Sequence, residues 1–122
     1  MPTVLIVDDS PTERQAYCEM LENNGYTVEQ AGDGDSSLTK AAEVKPDLIL
    51  MDVVMPGMNG FQATRQLDKN PDTANIPVII ITWKDQETDK VWGLRQGARD
   101  YVVKPVKESD LIERVRGFLG DA

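Results

Sequence analysis

Five polar residues stand where short apolar runs end. Asp8 and Asp9 follow Val4-Leu5-Ile6-Val7, Asp52 follows Leu48-Ile49-Leu50-Met51, Thr82 closes Pro77-Val78-Ile79-Ile80-Ile81, and Lys104 follows Tyr101-Val102-Val103. If the runs are parallel strands of an open α/β sheet, their carboxyl ends form the edge where ligands bind. Three carboxylates gathered there repel one another and call for a cation. Oxygen ligands without His or Cys select a hard ion such as Mg²⁺, which also favours a phosphate oxygen as partner. A carboxylate can act as a nucleophile toward phosphorus and form an aspartyl phosphate. Phosphoryl transfer is catalysed mainly by positioning and by stabilising charge on the equatorial oxygens, which a cation, a Lys and a Thr hydroxyl can supply. The set suits one task, accepting a phosphoryl group on an aspartate.

The elements that must position these residues follow from the pattern. Val4 to Val7 reads as a strand buried on both faces. Ser10-Pro11-Thr12-Glu13 starts a helix, with Ser10 as N-cap, Pro11 in the first helical position and Glu13 closing a capping box. Ala16, Tyr17, Met20 and Leu21 share its apolar face, Cys18 falls about one step off it as a semi-exposed residue, and Asn24-Gly25 stops it. Thr27 to Ala31 is a second strand and Asp35 to Val44 a second helix, ended before Pro46. Leu48 to Met51 is the third strand, the run Met55-Pro56-Gly57-Met58-Asn59-Gly60 reads as turns, and Phe61 to Leu67 begins a helix. Strands over Pro77 to Thr82 and Tyr101 to Val103, and helices over Asp85 to Gln96 and Glu108 to Leu119, complete five β-α units. Strict alternation predicts a parallel sheet covered by helices on both faces.

Composition narrows the function classes. The 122 residues suit one domain, without linker or repeat. Twenty-one acidic against 13 basic side chains give a net charge of −8, which disfavours nucleic acid and anionic membranes as partners. With no histidine, Ser-His-Asp catalysis and His-ligated metals are excluded. Cys18 is the one cysteine, so no intrachain disulfide forms. The N-terminus lacks the basic region of a signal peptide and the apolar runs are too short to span a bilayer, so a cytoplasmic location is expected.

The runs Leu5-Ile6-Val7-Asp8-Asp9-Ser10, Asp47-Leu48-Ile49-Leu50-Met51-Asp52, Met55-Pro56-Gly57-Met58-Asn59-Gly60, Ile76 to Thr82, Gly97-Ala98-Arg99-Asp100-Tyr101 and Lys104-Pro105 resemble the receiver domain of two-component response regulators of the chemotaxis type. The resemblance spans essentially the whole chain. It implies a flavodoxin-like, doubly wound five-stranded parallel sheet in the order 2-1-3-4-5 with five helices, filling residues 1–122 as a single receiver domain with no output domain. It implies Asp52 as phosphoacceptor and Mg²⁺, for which Mn²⁺ can substitute, on Asp9, Asp52 and the Val54 backbone carbonyl, with Asp8 acting through water. Lys104 would pair with Asp52 and then the phosphoryl group, Thr82 would turn to a phosphoryl oxygen, and Tyr101 would follow it. The Lys104–Pro105 peptide would be cis. The donor would be a histidine kinase or phosphotransfer protein, and the fourth helix, fifth strand and fifth helix, with Lys90, Trp92 and Tyr101, would form the face that signals to a protein target. More narrowly, Gly60 to Leu67 and Lys84 to Gly93 resemble the stand-alone regulators of type IV pilus (twitching) chemosensory systems.

Three positions depart from the usual pattern. Trp83 follows the switch Thr, where the family usually carries a small residue; it either restricts access to the site or swings outward. Val54 and Lys84, two residues beyond Asp52 and Thr82, stand where the family tunes phosphoryl lifetime, so altered dephosphorylation is expected. Trp92 either anchors a partner or packs on the sheet. A phosphate-sink role, draining phosphoryl groups, is the alternative within the family. An aspartate-nucleophile phosphatase is disfavoured because its general-acid position holds Val54. A flavodoxin-like cofactor module is disfavoured because Asp8-Asp9 would repel a phosphate without a metal.

Overall fold

The computed structural model describes residues 1–120. Strands β1 (Thr3–Val7), β2 (Thr27–Ala31), β3 (Leu48–Met51), β4 (Val78–Thr82) and β5 (Asp100–Val103) alternate with helices α1 (Pro11–Glu22), α2 (Gly34–Val44), α3 (Gly60–Lys69), α4 (Glu87–Arg95) and α5 (Glu108–Leu119). All neighbouring strands pair in parallel, in the order β2-β1-β3-β4-β5. The expected fold class, sheet order and element count are thus observed, with helix boundaries moved by one to two residues.

Alternation along each strand splits the core in two. Val4, Ile6, Leu48, Leu50, Ile79, Ile81 and Val102 pack with Tyr17, Leu21, Leu111, Ile112 and Val115 beneath α1 and α5. Leu5, Val7, Ile49, Met51, Val78 and Ile80 pack with Ala41, Phe61, Ala63 and Leu67 on the face of α2 and α3. The parallel ladder runs on past three strands: the N–H groups of Asp8, Asp52 and Lys104 donate to Ala31, Val7 and Thr82 carbonyls at 3.2, 2.9 and 2.8 Å. Continuing the alternation, Asp8, Asp52 and Lys104 fall on the α1/α5 side, while Thr82 follows Ile80 to the other.

Helix α1 corrects the sequence reading twice. Ser10 caps it, accepting the Glu13 N–H at 3.3 Å, but the reciprocal arm of a capping box is not made. The Glu13 carboxylate has been drawn to the site instead. Cys18 is buried, not semi-exposed, and Ala16 faces solvent. The helix packs against β2 as well as α5, and this turns Cys18 toward Gln30, whose side-chain N–H donates to the sulfur at 3.5 Å, while the thiol donates to Glu22 at 3.2 Å. Burial, with the hydrogen bond to Glu22, pushes the Cys18 thiol up to about 11. Because the thiolate is the nucleophile, Cys18 is expected to react with a disulfide reagent at pH 8 roughly 100-fold more slowly in the native protein than in urea. Equal rates would place the thiol in solvent.

Candidate functional site

Lys104 is the centre of the strand-end cluster. Its side chain is 1% exposed, and its ammonium donates to Glu13 Oε1 at 2.8 Å, Asp8 Oδ2 at 3.0 Å and Asp52 Oδ2 at 3.2 Å. The Tyr17 ring of α1 lies beneath it, 5.7 Å from Nζ to the centroid, a favourable place for a cation. The acids are held by backbone. Asp8 Oδ1 accepts the Ser10 N–H at 2.9 Å, and Asp52 Oδ1 accepts the Val53 N–H at 2.7 Å. Arg14 reaches back from α1 to the Asp8 carbonyl at 2.7 Å, tying the helix start to the strand end.

The electrostatics follow from burial and partners. Burial raises the Asp8 carboxyl above its ordinary range, against the hydrogen bonds from Ser10 and Lys104. The hydrogen bond from Lys104 lowers Glu13. For Lys104 itself burial disfavours the charge, but the bonds to Glu13 and Asp8 and the charge of Asp52 outweigh it and raise its pKa. The ammonium stays charged at any physiological pH. Three carboxylates, Asp8, Asp52 and Glu13, share this one ammonium, and Asp9 lies beside Asp8 and Asp52.

Asp8, Asp9 and Asp52 each turn an oxygen to one place, within 4.8 Å of one another, with Asp9 exposed and the other two buried. An all-oxygen donor set of this kind, open to solvent on one side, fits a hard divalent cation that retains waters. Val54 follows on an exposed loop beside it, 60% accessible.

Thr82 and Tyr101 lie across the sheet edge from this group. Thr82 is fully buried, and its Oγ1 accepts the Lys84 N–H at 3.4 Å. Tyr101 is buried, and its hydroxyl donates to the Lys84 carbonyl at 2.8 Å. The two side chains therefore hold the same peptide segment, and neither bonds to Asp52. The Lys84 side chain turns to Asp89, 3.8 Å away. The Lys104–Pro105 peptide is cis.

Both tryptophans are exposed. Trp83 is 58% accessible yet tethered: its indole N–H donates to Glu13 Oε1 at 3.2 Å. It thus lies outward at the surface, held to the first turn of α1 by that bond. Trp92 is about half exposed and lines a shallow hollow with Val54, Met55, Phe61 and Lys84, on the α3 side of α4. Lys90 is exposed. Helix α4 meets the sheet through Gly93, where a Cβ would come within 3.0 Å of Ile80 and Tyr101 side-chain atoms, and this leaves Val91, Trp92 and Leu94 outward. Sequence reasoning missed Glu13 as a site residue. Its one signal was an acid in the first turn of the helix that follows Asp8 and Asp9.

Comparison with known proteins agrees with this geometry. Residues 4–116 match the response regulator receiver domain. The chain is 57% identical to the protein PilH of Pseudomonas aeruginosa over 119 residues, covering 98% of both chains. It is 39% identical over 116 residues to the DNA-binding response regulator MtrA of Mycolicibacterium smegmatis, covering 95% of this chain and 50% of that one. Among solved structures it superposes on the chemotaxis protein CheY4 of Vibrio cholerae with a TM-score of 0.91 at 33% identity, over 97% and 98% of the two chains. A doubly wound sheet, an aspartate trio at its carboxyl edge and a buried lysine between them accord with these matches, and the chain belongs to the response regulator receiver domain family of two-component signalling.

Proposed function

We propose that the protein is a phosphorylation switch in which Asp52 accepts a phosphoryl group from a phosphohistidine of a partner histidine kinase or phosphotransfer protein. The observation that carries this reading is the buried Lys104 ammonium, 3.2 Å from Asp52 Oδ2 at the edge where the acids converge. An Asp52 oxygen attacks phosphorus, the P–N bond to the donor imidazole breaks, and the electron pair leaves with the nitrogen. Lys104 stays protonated and faces the charge that develops on the transferring group. Asp9, Asp52 and the Val54 carbonyl would hold Mg²⁺, with Asp8 acting through water, and the ion would supply charge neutralisation for the phosphoryl oxygens. Val54 has no proton to give a leaving group, which supports a switch over a phosphatase.

The output follows from the segment that Thr82 and Tyr101 share. A Thr82 hydroxyl turned to a phosphoryl oxygen gives up the Lys84 N–H, and the Tyr101 bond to the Lys84 carbonyl moves with that segment. A two-state equilibrium of the α4-β5-α5 face shifts in consequence, and a protein target reads it there, with Lys90, Trp92 and Tyr101 on or near that face. The similarity to PilH supports a place in a pilus chemosensory pathway, and no described helix is long and apolar enough to cross a membrane. The test is incubation with Mg²⁺ and acetyl phosphate, followed by intact-mass measurement. A gain of one phosphoryl group that a chelator abolishes is expected. No gain with Mg²⁺ present would remove the switch reading.

A further inference from the structure

An ammonium has three N–H donors and no acceptor. Lys104 spends all three, on Glu13, Asp8 and Asp52. A phosphoryl oxygen on Asp52 can take over the place of Asp52 itself on Lys104, but it brings further negative charge beside the Glu13 and Asp8 carboxylates that share the ammonium, and this drives one of them off. Asp8 is a poor candidate: its side chain is 3% exposed and its other oxygen is held by the Ser10 N–H at 2.9 Å, so it cannot move out to water. Glu13 is 35% exposed, so water can take over its carboxylate when it leaves. Its other partner is the Trp83 indole, bonded to the same Oε1. The shortest bond to Lys104 is thus also the one that solvent can replace, and its loss frees an aromatic side chain at the rim.

We propose that Glu13 is a positioning residue that occupies Lys104 in the resting protein, and that a phosphoryl group on Asp52 displaces it and releases Trp83. The inference rests on the phosphoacceptor reading above. Glu13 then opposes phosphorylation, because its charge-assisted bond must be given up each time Asp52 is modified, and Trp83 reports the event. A hydrogen bond to a charged group outweighs a neutral one by an amount worth about tenfold in an equilibrium.

The test is Glu13→Ala, which keeps the backbone bond from residue 13 to Ser10 and places a good helix former in the first turn. Phosphorylation by acetyl phosphate at fixed Mg²⁺ is followed by intact mass. Trp83 emission is read in a Trp92→Phe background, where it is the one indole. Glu13→Ala is expected to accept the phosphoryl group faster than the parent, by at most about tenfold, the full equilibrium worth of the bond given up. In the parent, Trp83 emission changes on phosphorylation. In Glu13→Ala it starts at the phosphorylated value and does not move. An unchanged or slower rate in Glu13→Ala, with the parent phosphorylated normally, overturns this inference and leaves the switch intact. A faster rate with an indole signal that still moves as in the parent assigns the effect to charge alone and overturns it as well. No mass gain in the parent takes down both readings.

Discussion

Asp52→Asn is expected to take up no phosphoryl group from acetyl phosphate under conditions that fully modify the parent, and to remain folded. Asn is nearly isosteric with Asp, but its amide is not a nucleophile toward phosphorus. The fold is spared because each partner of Asp52 has a substitute. The Val53 N–H, 2.7 Å from Asp52 Oδ1, can still donate to the amide oxygen. Lys104, whose bond to Asp52 is the longest of its three, keeps Glu13 at 2.8 Å and Asp8 at 3.0 Å. Losing one of several clustered carboxylates also relieves repulsion, so stability in metal-free buffer is expected to change by no more than about 1 kcal/mol. Stabilisation by Mg²⁺, measured as the shift in the urea midpoint on adding the ion, is expected to be largely lost, since a ligand stabilises only through its affinity for the folded state. An Asp52→Asn protein that gains mass like the parent would move the acceptor to another side chain.

Gly60→Ala is expected to cost about 3 kcal/mol or more, well above the usual effect of adding a methyl group. Gly60 is the first residue of α3, and a Cβ there overlaps the Asp52 carbonyl oxygen and comes within 2.8 Å of Val53 Cα. These are backbone atoms and cannot rotate away. The same residue donates its N–H to the Val53 carbonyl at 2.9 Å and accepts the Thr64 hydroxyl at 2.7 Å, so α3 is moored to the loop that carries the acceptor. Urea unfolding should show a lower midpoint at unchanged slope. Gly57→Ala is the comparison. Its φ of 73° is left-handed, but a Cβ there meets nothing within 4 Å, so its cost is that of the backbone conformation, about 1 kcal/mol. Equal costs at the two positions would show that close approach is not what Gly60 provides.

These two glycines mark one boundary of what can be read from a sequence. The run Met55-Pro56-Gly57-Met58-Asn59-Gly60 reads as turns, which holds for Gly57, whereas Gly60 is helical and is glycine because another backbone passes beside it. Nothing local to Gly60 announces that neighbour. Cys18 teaches the same lesson on α1: helical spacing names a stripe, but how wide the buried stripe is depends on how many elements pack against the helix.

The sequence by itself determined the sheet, its helices and the identity of the strand-end residues. Apolar runs of four to five residues and their alternation with helical segments are local patterns, and an open parallel sheet brings every strand's carboxyl end to one edge, so Asp8, Asp9, Asp52, Thr82 and Lys104 could be named in advance. Tertiary structure alone decided who bonds to whom along that edge. Strand alternation sent Lys104 to the α1 side and Thr82 to the other, so Lys104 met Glu13, 91 residues away, and Thr82 met the Lys84 backbone instead of Asp52. Glu13 left its expected capping role because the Ser10 N–H is already bonded to Asp8 Oδ1 at 2.9 Å, while a buried ammonium in a cluster of acids attracts the Glu13 carboxylate. Trp83 followed Glu13, and the two contacts depend on how near the first turn of α1 lies to the ends of β5 and β4, which no local pattern encodes.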